Sequence, residues 1–116
     1  MREILFRGKR IDSGEWVYGT MYKIAIDINP FILTVGKRGC SYQVDEETVG
    51  QYTGLNDKNG KKIFEGDILA LWGGIPRVVS FEDGAFALEN TSIPMRFANK
   101  FEVIGNIMDN PELLEK

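Results

Sequence analysis

One continuous run, Thr48 to Ile68, constrains this chain more than any other, because it carries strand, turn, return, bend and strand signals in immediate succession. Thr48 to Leu55 is rich in β-branched and aromatic residues, with Val49 and Tyr52 placed to face a core and Gly50 and Gly54 loosening the strand. Asn56-Asp57-Lys58-Asn59-Gly60 then gathers side chains that tolerate left-handed backbone, followed by a glycine that adopts it without a steric penalty. Lys61 to Phe64 brings the chain back, Glu65-Gly66-Asp67 bends it again, and Ile68 to Trp72 is an apolar strand.

A glycine between two carboxylates, leading into a hydrophobic strand, is also how many small barrels of the Src-homology-3 type turn a corner. The remainder of the chain has the same character. Ile4 to Lys9 alternates in part, Ile11 to Glu15 offers turn chemistry, and Trp16 to Tyr22 returns as a strand. That strand puts Trp16, Tyr18, Thr20 and Tyr22 on one face and Val17, Gly19 and Met21 on the other, so both faces are candidates for burial. Ile24 to Ile28 continues or restarts it, Asn29-Pro30 punctuates, and Phe31 to Val35 is the next strand. Asp45 is a candidate N-cap for a single helical turn and marks a boundary between lobes. Further on, Arg77 to Phe81 and Ala85 to Leu88 flank the turn signal Glu82-Asp83-Gly84 and are expected to pair as a hairpin. Phe101 to Ile107 forms a last strand, and Asn110-Pro111-Glu112 starts one terminal helical turn.

Composition excludes several classes of function. The 116 residues suit one domain or two small lobes, and 43% hydrophobic with 27% charged residues is the balance of a globular protein rather than a disordered one. A net charge of −3 argues against a surface that is basic throughout. Histidine is absent and Cys40 is the single cysteine, so one chain supports no disulfide, no cysteine-histidine zinc site and no histidine-based catalytic triad. Charges interrupt the apolar run at the N-terminus, and no apolar stretch approaches spanning length, so the expected location is the cytoplasm, with no membrane partner.

The chemically suggestive motifs are incomplete. Asp57, Asn59 and Gly60 fit three positions of a calcium loop, but Leu55 and Gly66 stand where its first and last carboxylates belong. Gly54 to Lys62 has the wrong glycine spacing for a phosphate-binding loop, and Lys62 replaces the magnesium-binding hydroxyl. Glu65 and Asp67 form a carboxylate pair across a bend, readable as a divalent-cation site or as a bend that bonds its own backbone. Cys40 follows Lys37 and Arg38, a setting that lowers a thiol pKa, although a small inert residue is the simpler reading. The basic groups fall in three clusters, Arg7 with Lys9 and Arg10, Lys37 with Arg38, and Lys58 with Lys61 and Lys62; Tyr42, Tyr52 and Phe64 lie near them in sequence. Lysines beside stacking rings are how small barrels hold single-stranded nucleic acid, and solvated turns account for the same residues.

Four ordered blocks resemble the YopX family of phage and prophage proteins. They are Phe6-Arg7-Gly8-Lys9 with Gly14-Glu15-Trp16-Val17-Tyr18-Gly19; Val49 to Leu55 with Asp57-Lys58-Asn59-Gly60; Ile63 to Ile68; and Val103 to Ile107 with Asn110 to Leu114. The resemblance implies a small Src-homology-3-type barrel lobe preceded by a β-rich lobe, and it implies neither an activity nor site residues.

The expectation is thus a mostly β chain: an N-terminal β-hairpin-rich lobe over residues 1–44 and a Src-homology-3-type small barrel lobe with a short terminal helical turn over 45–116. No catalytic residue, metal ligand or cofactor is assigned. The leading function is a non-enzymatic binding module for a protein of the bacterial host or of a phage. Nucleic-acid binding through Lys37, Arg38, Lys58, Lys61, Lys62 and Tyr52 is the alternative, a metal-dependent enzyme built on Glu65 and Asp67 is the distant one, and a homo-oligomer formed through edges or patches of the apolar strands around Trp72 and Phe31 is a further expectation.

Overall fold

The computed structural model describes residues 3–34 and 39–114. Among them lie ten strands: β1 (Phe6–Lys9), β2 (Trp16–Tyr22), β3 (Phe31–Thr34), β4 (Ser41–Gln43), β5 (Gly50–Asn56), β6 (Lys62–Phe64), β7 (Asp67–Ala70), β8 (Pro76–Glu82), β9 (Ala85–Leu88) and β10 (Glu102–Asn106). Four short 3-10 segments, Glu46–Thr48, Trp72–Gly74, Met95–Lys100 and Pro111–Leu114, are the helical content of the described residues. The chain is mostly β, with all the strand pairs described here antiparallel.

Two compact units divide within β5, at Met1–Tyr52 and Thr53–Lys116. Asp45 does cap a helical turn, its side chain accepting the Glu47 N–H at 3.1 Å. That turn is tied to β1, where the Lys9 N–H donates to Thr48 Oγ1 at 2.8 Å, and so it belongs to the first unit.

In the first unit the strand order is β4-β3-β2-β1-β5. The tight turn between β1 and β2 is closed by the Arg10 N–H donating to the Glu15 carbonyl at 2.8 Å. Cross-strand register sorts side chains by face. Gly8 pairs with Val17, and Met21 with Ile32, on the face where Ile32 and Val44 are fully buried. Arg7 pairs with Tyr18, Thr20 with Leu33 and Tyr22 with Phe31 on the opposite face. Gly19 permits the close approach of β2 and β3, since a Cβ there would overlap the Leu33 carbonyl oxygen.

The segment Ile24 to Ile28 departs from expectation, because it is a turn-rich loop and not a strand. Its polar groups are satisfied locally, with the Lys23 ammonium donating to the Ile26 carbonyl at 3.2 Å and the Ile28 N–H to the Ala25 carbonyl at 3.4 Å. These bonds take the place of a ladder.

The second unit holds the sheet β10-β7-β8-β9. Its β8–β9 hairpin turns on Asp83 and Gly84, both left-handed with φ of 52° and 82°, which gives the strands the twist that a two-residue turn requires. β10 slips register against β7 between Val103 and Gly105, a bulge that bends the edge strand. The core gathers Ile63, Leu69, Leu71, Val79, Leu88, Ala98, Phe101 and Val103, and the Trp72 ring lies edge-on to Phe101 at 4.9 Å. The barrel expected for this half is not closed: β9 and β10 are the two edges of an open sheet. Between them the chain runs through an irregular segment and the 3-10 turns Met95–Lys100, so among the described residues no strand bridges the gap.

Candidate functional site

The lysine-bearing turn at Asn56 to Gly60 is built around one carboxylate. Asp57 is 5% exposed, and its oxygens accept the N–H groups of Asn59 at 2.8 Å, Lys61 at 2.9 Å and, from β10, Val103 at 2.9 Å. Burial pushes its pKa up, but the donors on Val103, Lys61 and Asn59 and the positive charge of Lys61 outweigh that and hold the carboxyl below its ordinary value. The residue that a calcium reading would make a ligand is thus occupied by backbone donors. Lys58, Lys61 and Lys62 are exposed around this turn.

The other members of the expected basic surface are placed differently. Lys37 and Arg38 lie outside the described residues. Tyr52 is 7% exposed and Phe64 is buried, so neither ring offers a face on which a base could stack. β5 turns the Tyr52 ring inward, out of reach of a nucleic-acid base. Arg7 is buried with its guanidinium 4.7 Å from the Trp16 ring centre, and the Lys9 ammonium is 5.5 Å from the same ring. Arg10 lies 4.1 Å over Tyr42 and bonds both oxygens of Asp12, at 2.9 and 2.7 Å, which holds the Asp12 carboxyl below its usual range. Internal partners therefore engage this cluster.

The bend Glu65-Gly66-Asp67 is tied to the backbone through Asp67 and Gly66. Asp67 is 2% exposed, and its Oδ2 accepts the Phe64 N–H at 2.7 Å. The Gly66 N–H donates to the Val79 carbonyl at 2.8 Å, and the Gly66 carbonyl accepts the Ile107 N–H at 2.9 Å. Among the described residues no group of three or more acidic or cysteine side chains could hold a metal ion. Cys40 is exposed, and its N–H donates to the Thr34 hydroxyl at 3.2 Å. A cavity of about 530 Å³ in the second unit is walled by Gly73, Gly74, Pro76, Arg77, Glu89 and Leu113. Arg77 and Glu89 give it opposite charges, so it selects neither an anion nor a cation.

The most unusual surface belongs to the first unit, beside the Phe31 strand, one of the two apolar strands expected to leave a self-associating patch. On the β2–β3 face, Tyr18, Tyr22 and Leu33 are 41%, 38% and 42% exposed, and Tyr22 stacks on Phe31 at 5.4 Å. Ile24, Ile26 and Ile28 in the adjoining loop are 67%, 92% and 38% exposed. Packing does not hold them in place; polar bonds at the base of the loop do. The Lys23 ammonium pairs with the Glu46 carboxylate at 3.1 Å, the Gln43 side-chain amide donates to the Asn29 carbonyl at 3.2 Å, and the Glu46 N–H donates to the Asn29 side chain at 3.2 Å. The loop therefore presents isoleucines to solvent from a braced base.

Comparison with known proteins gives a consistent answer. A family model described as YopX protein matches residues 5–115. Among curated proteins no sequence matches the chain. Of solved structures, the crystal structure of protein EF1440 from Enterococcus faecalis is similar at 27% sequence identity and a TM-score of 0.67, covering 99% of this chain and 100% of that one.

Proposed function

This chain belongs to the YopX family, and from that premise we propose that it is a non-enzymatic module that binds another protein. The observation that carries this reading is the exposed apolar surface of Tyr18, Tyr22 and Leu33 with the braced isoleucines of the Lys23 to Asn29 loop. Isolated exposed hydrophobic residues are ordinary, but six large ones exposed on two neighbouring strands and the loop that joins them favour an interaction surface. Asp57, the candidate ligand of the calcium reading, and Asp67, one member of the Glu65 and Asp67 pair, accept backbone N–H groups, which supports a structural role for these two. Two further readings accompany the proposal. The bend at Gly66 supports kinship of the second unit with the Src-homology-3 type in an open-sheet form. A phage or prophage gene acting in the bacterial cytoplasm fits a chain with a single cysteine and, among the described residues, no helix long and apolar enough to cross a membrane.

The test compares the wild type with Ile24→Ser/Ile26→Ser as baits in bacterial lysate. The expected outcome is a protein, foreign or a second copy of this chain, bound by the wild type and lost from the variant. Equal capture by both baits counts against the reading.

Exposure of Lys58, Lys61 and Lys62 on a turn fixed by Asp57 favours nucleic acid as the second reading. Fluorescence anisotropy with labelled single-stranded DNA, duplex DNA and RNA separates the two. Binding that weakens linearly with log salt yet survives near-physiological conditions would place nucleic acid first, and Lys61→Ala/Lys62→Ala would then reduce the salt slope by about 2.

A further inference from the structure

We infer that the β2–β3 face and its isoleucine loop are a self-association surface whose partner is a second copy of this chain. The inference rests on the protein-binding reading above and names the partner.

Three observations point to a second copy. The first is the chemistry of the polar groups on the face. Tyr18, Thr20 and Tyr22 from β2 and Ser41 from β4 all carry hydroxyls, and Tyr22 Oη bonds Ser41 Oγ at 3.0 Å. A hydroxyl is both donor and acceptor, so such a surface can satisfy a copy of itself across a two-fold axis. A face armed with carboxylates or ammonium groups would instead need a partner of opposite sign.

The second is charge. The Lys23 ammonium at the root of the loop is neutralised by Glu46 at 3.1 Å, and Lys9 on the neighbouring strand lies over the Trp16 ring. Asp27 is the loop's remaining exposed charge, set between Ile26 and Ile28. Among the described residues, two copies can therefore meet with little like-charge opposition, and an anionic lipid surface would find no cationic rim there.

The third is area. From their fractional exposures, Tyr18, Tyr22, Ile24, Ile26, Ile28 and Leu33 leave roughly 700 Å² in water, close to the ~800 Å² per partner of a standard interface. Ile26, at 92% exposure, is the anchor that such an interface would bury most completely.

Sedimentation equilibrium across a wide concentration range tests this on the full chain. The wild type is expected to show a concentration-dependent rise to twice the mass of one chain. Ile24→Ser/Ile26→Ser is expected to weaken that association by about tenfold or more. Thr20→Lys adds like charges at the centre of the face and is expected to abolish it; because Thr20 is solvent-exposed, its melting temperature should match the wild type at concentrations where both are monomeric. A wild type that stays monomeric into the high micromolar range overturns the inference, and so does a dimer that both variants leave intact. Differential capture from lysate reads the broader reading separately. A monomeric wild type that captures a foreign protein, lost in the isoleucine variant, refutes the second copy and keeps the protein-binding module. A monomer with no such capture refutes both.

Discussion

Asp57 shows how one carboxylate can decide whether a turn is a site or a staple. Its oxygens close the turn through Asn59 and Lys61 and fasten β10 through Val103, a residue far away in sequence. Truncation in Asp57→Ala leaves buried N–H groups without an acceptor, so we expect a loss of ~3 kcal/mol, read by denaturant unfolding. Asp57→Asn keeps the shape but lacks the charge and one acceptor, and should also destabilise, though less. Because the folded-state pKa lies below the ordinary 3.8, the unfolded chain binds more protons in acid. Stability from Asp57 is therefore full above the unfolded value and is lost as pH falls through the lower folded one. Asp57→Ala should flatten this acid limb of the stability-pH curve; an unchanged limb would show that other carboxylates set it. The turn itself was legible in Asn56 to Gly60, but the contact with Val103 was not, because no local pattern reports a partner on another strand.

At the scale of elements, β2 and β3 depend on an approach that only glycine allows. A Cβ on Gly19 would overlap the Leu33 carbonyl oxygen, which belongs to the backbone and cannot swing aside. Gly19→Ala is expected to cost more than about 2 kcal/mol, with loss of protection at β2 and β3 amides in hydrogen exchange. By contrast, the loop that joins these strands should tolerate change. At protein concentrations where the wild type is monomeric, Ile24→Ser/Ile26→Ser removes side chains that face water, so its unfolding free energy should stay within about 0.5 kcal/mol of the wild type. Strands, hairpin turns and the Asp45 cap were readable here, because alternation and turn chemistry are local. In sequence the loop resembles a strand, because Ile24-Ala25-Ile26-Asp27-Ile28 alternates as a half-buried strand does. Bonds from Lys23 to Ile26 and Glu46, made outside any ladder, set its actual path.

At the scale of the whole molecule, the chain divides into two compact units, one burying Ile32 and Val44 and the other burying the Leu69, Val79 and Phe101 cluster. The acid-sensitive staple Asp57 belongs to the second alone. On acidification below about pH 4, amides of Leu69, Val79 and Val103 should lose hydrogen-exchange protection before that of Ile32. Simultaneous loss would show that the units unfold as one cooperative body.

The sequence determined the β class, the positions of nearly all strands and turns, and the resemblance that the family match confirms, since each is written in short-range alternation, turn residues and ordered motifs. Tertiary structure decided the rest. It left the second sheet open, turned Tyr52 inward, occupied Asp57 and Asp67 with backbone donors and left an apolar face of β2 and β3 in water. Burial and pairing are set by which distant segments meet, and a strand with two apolar faces carries no local signal of which one will be covered.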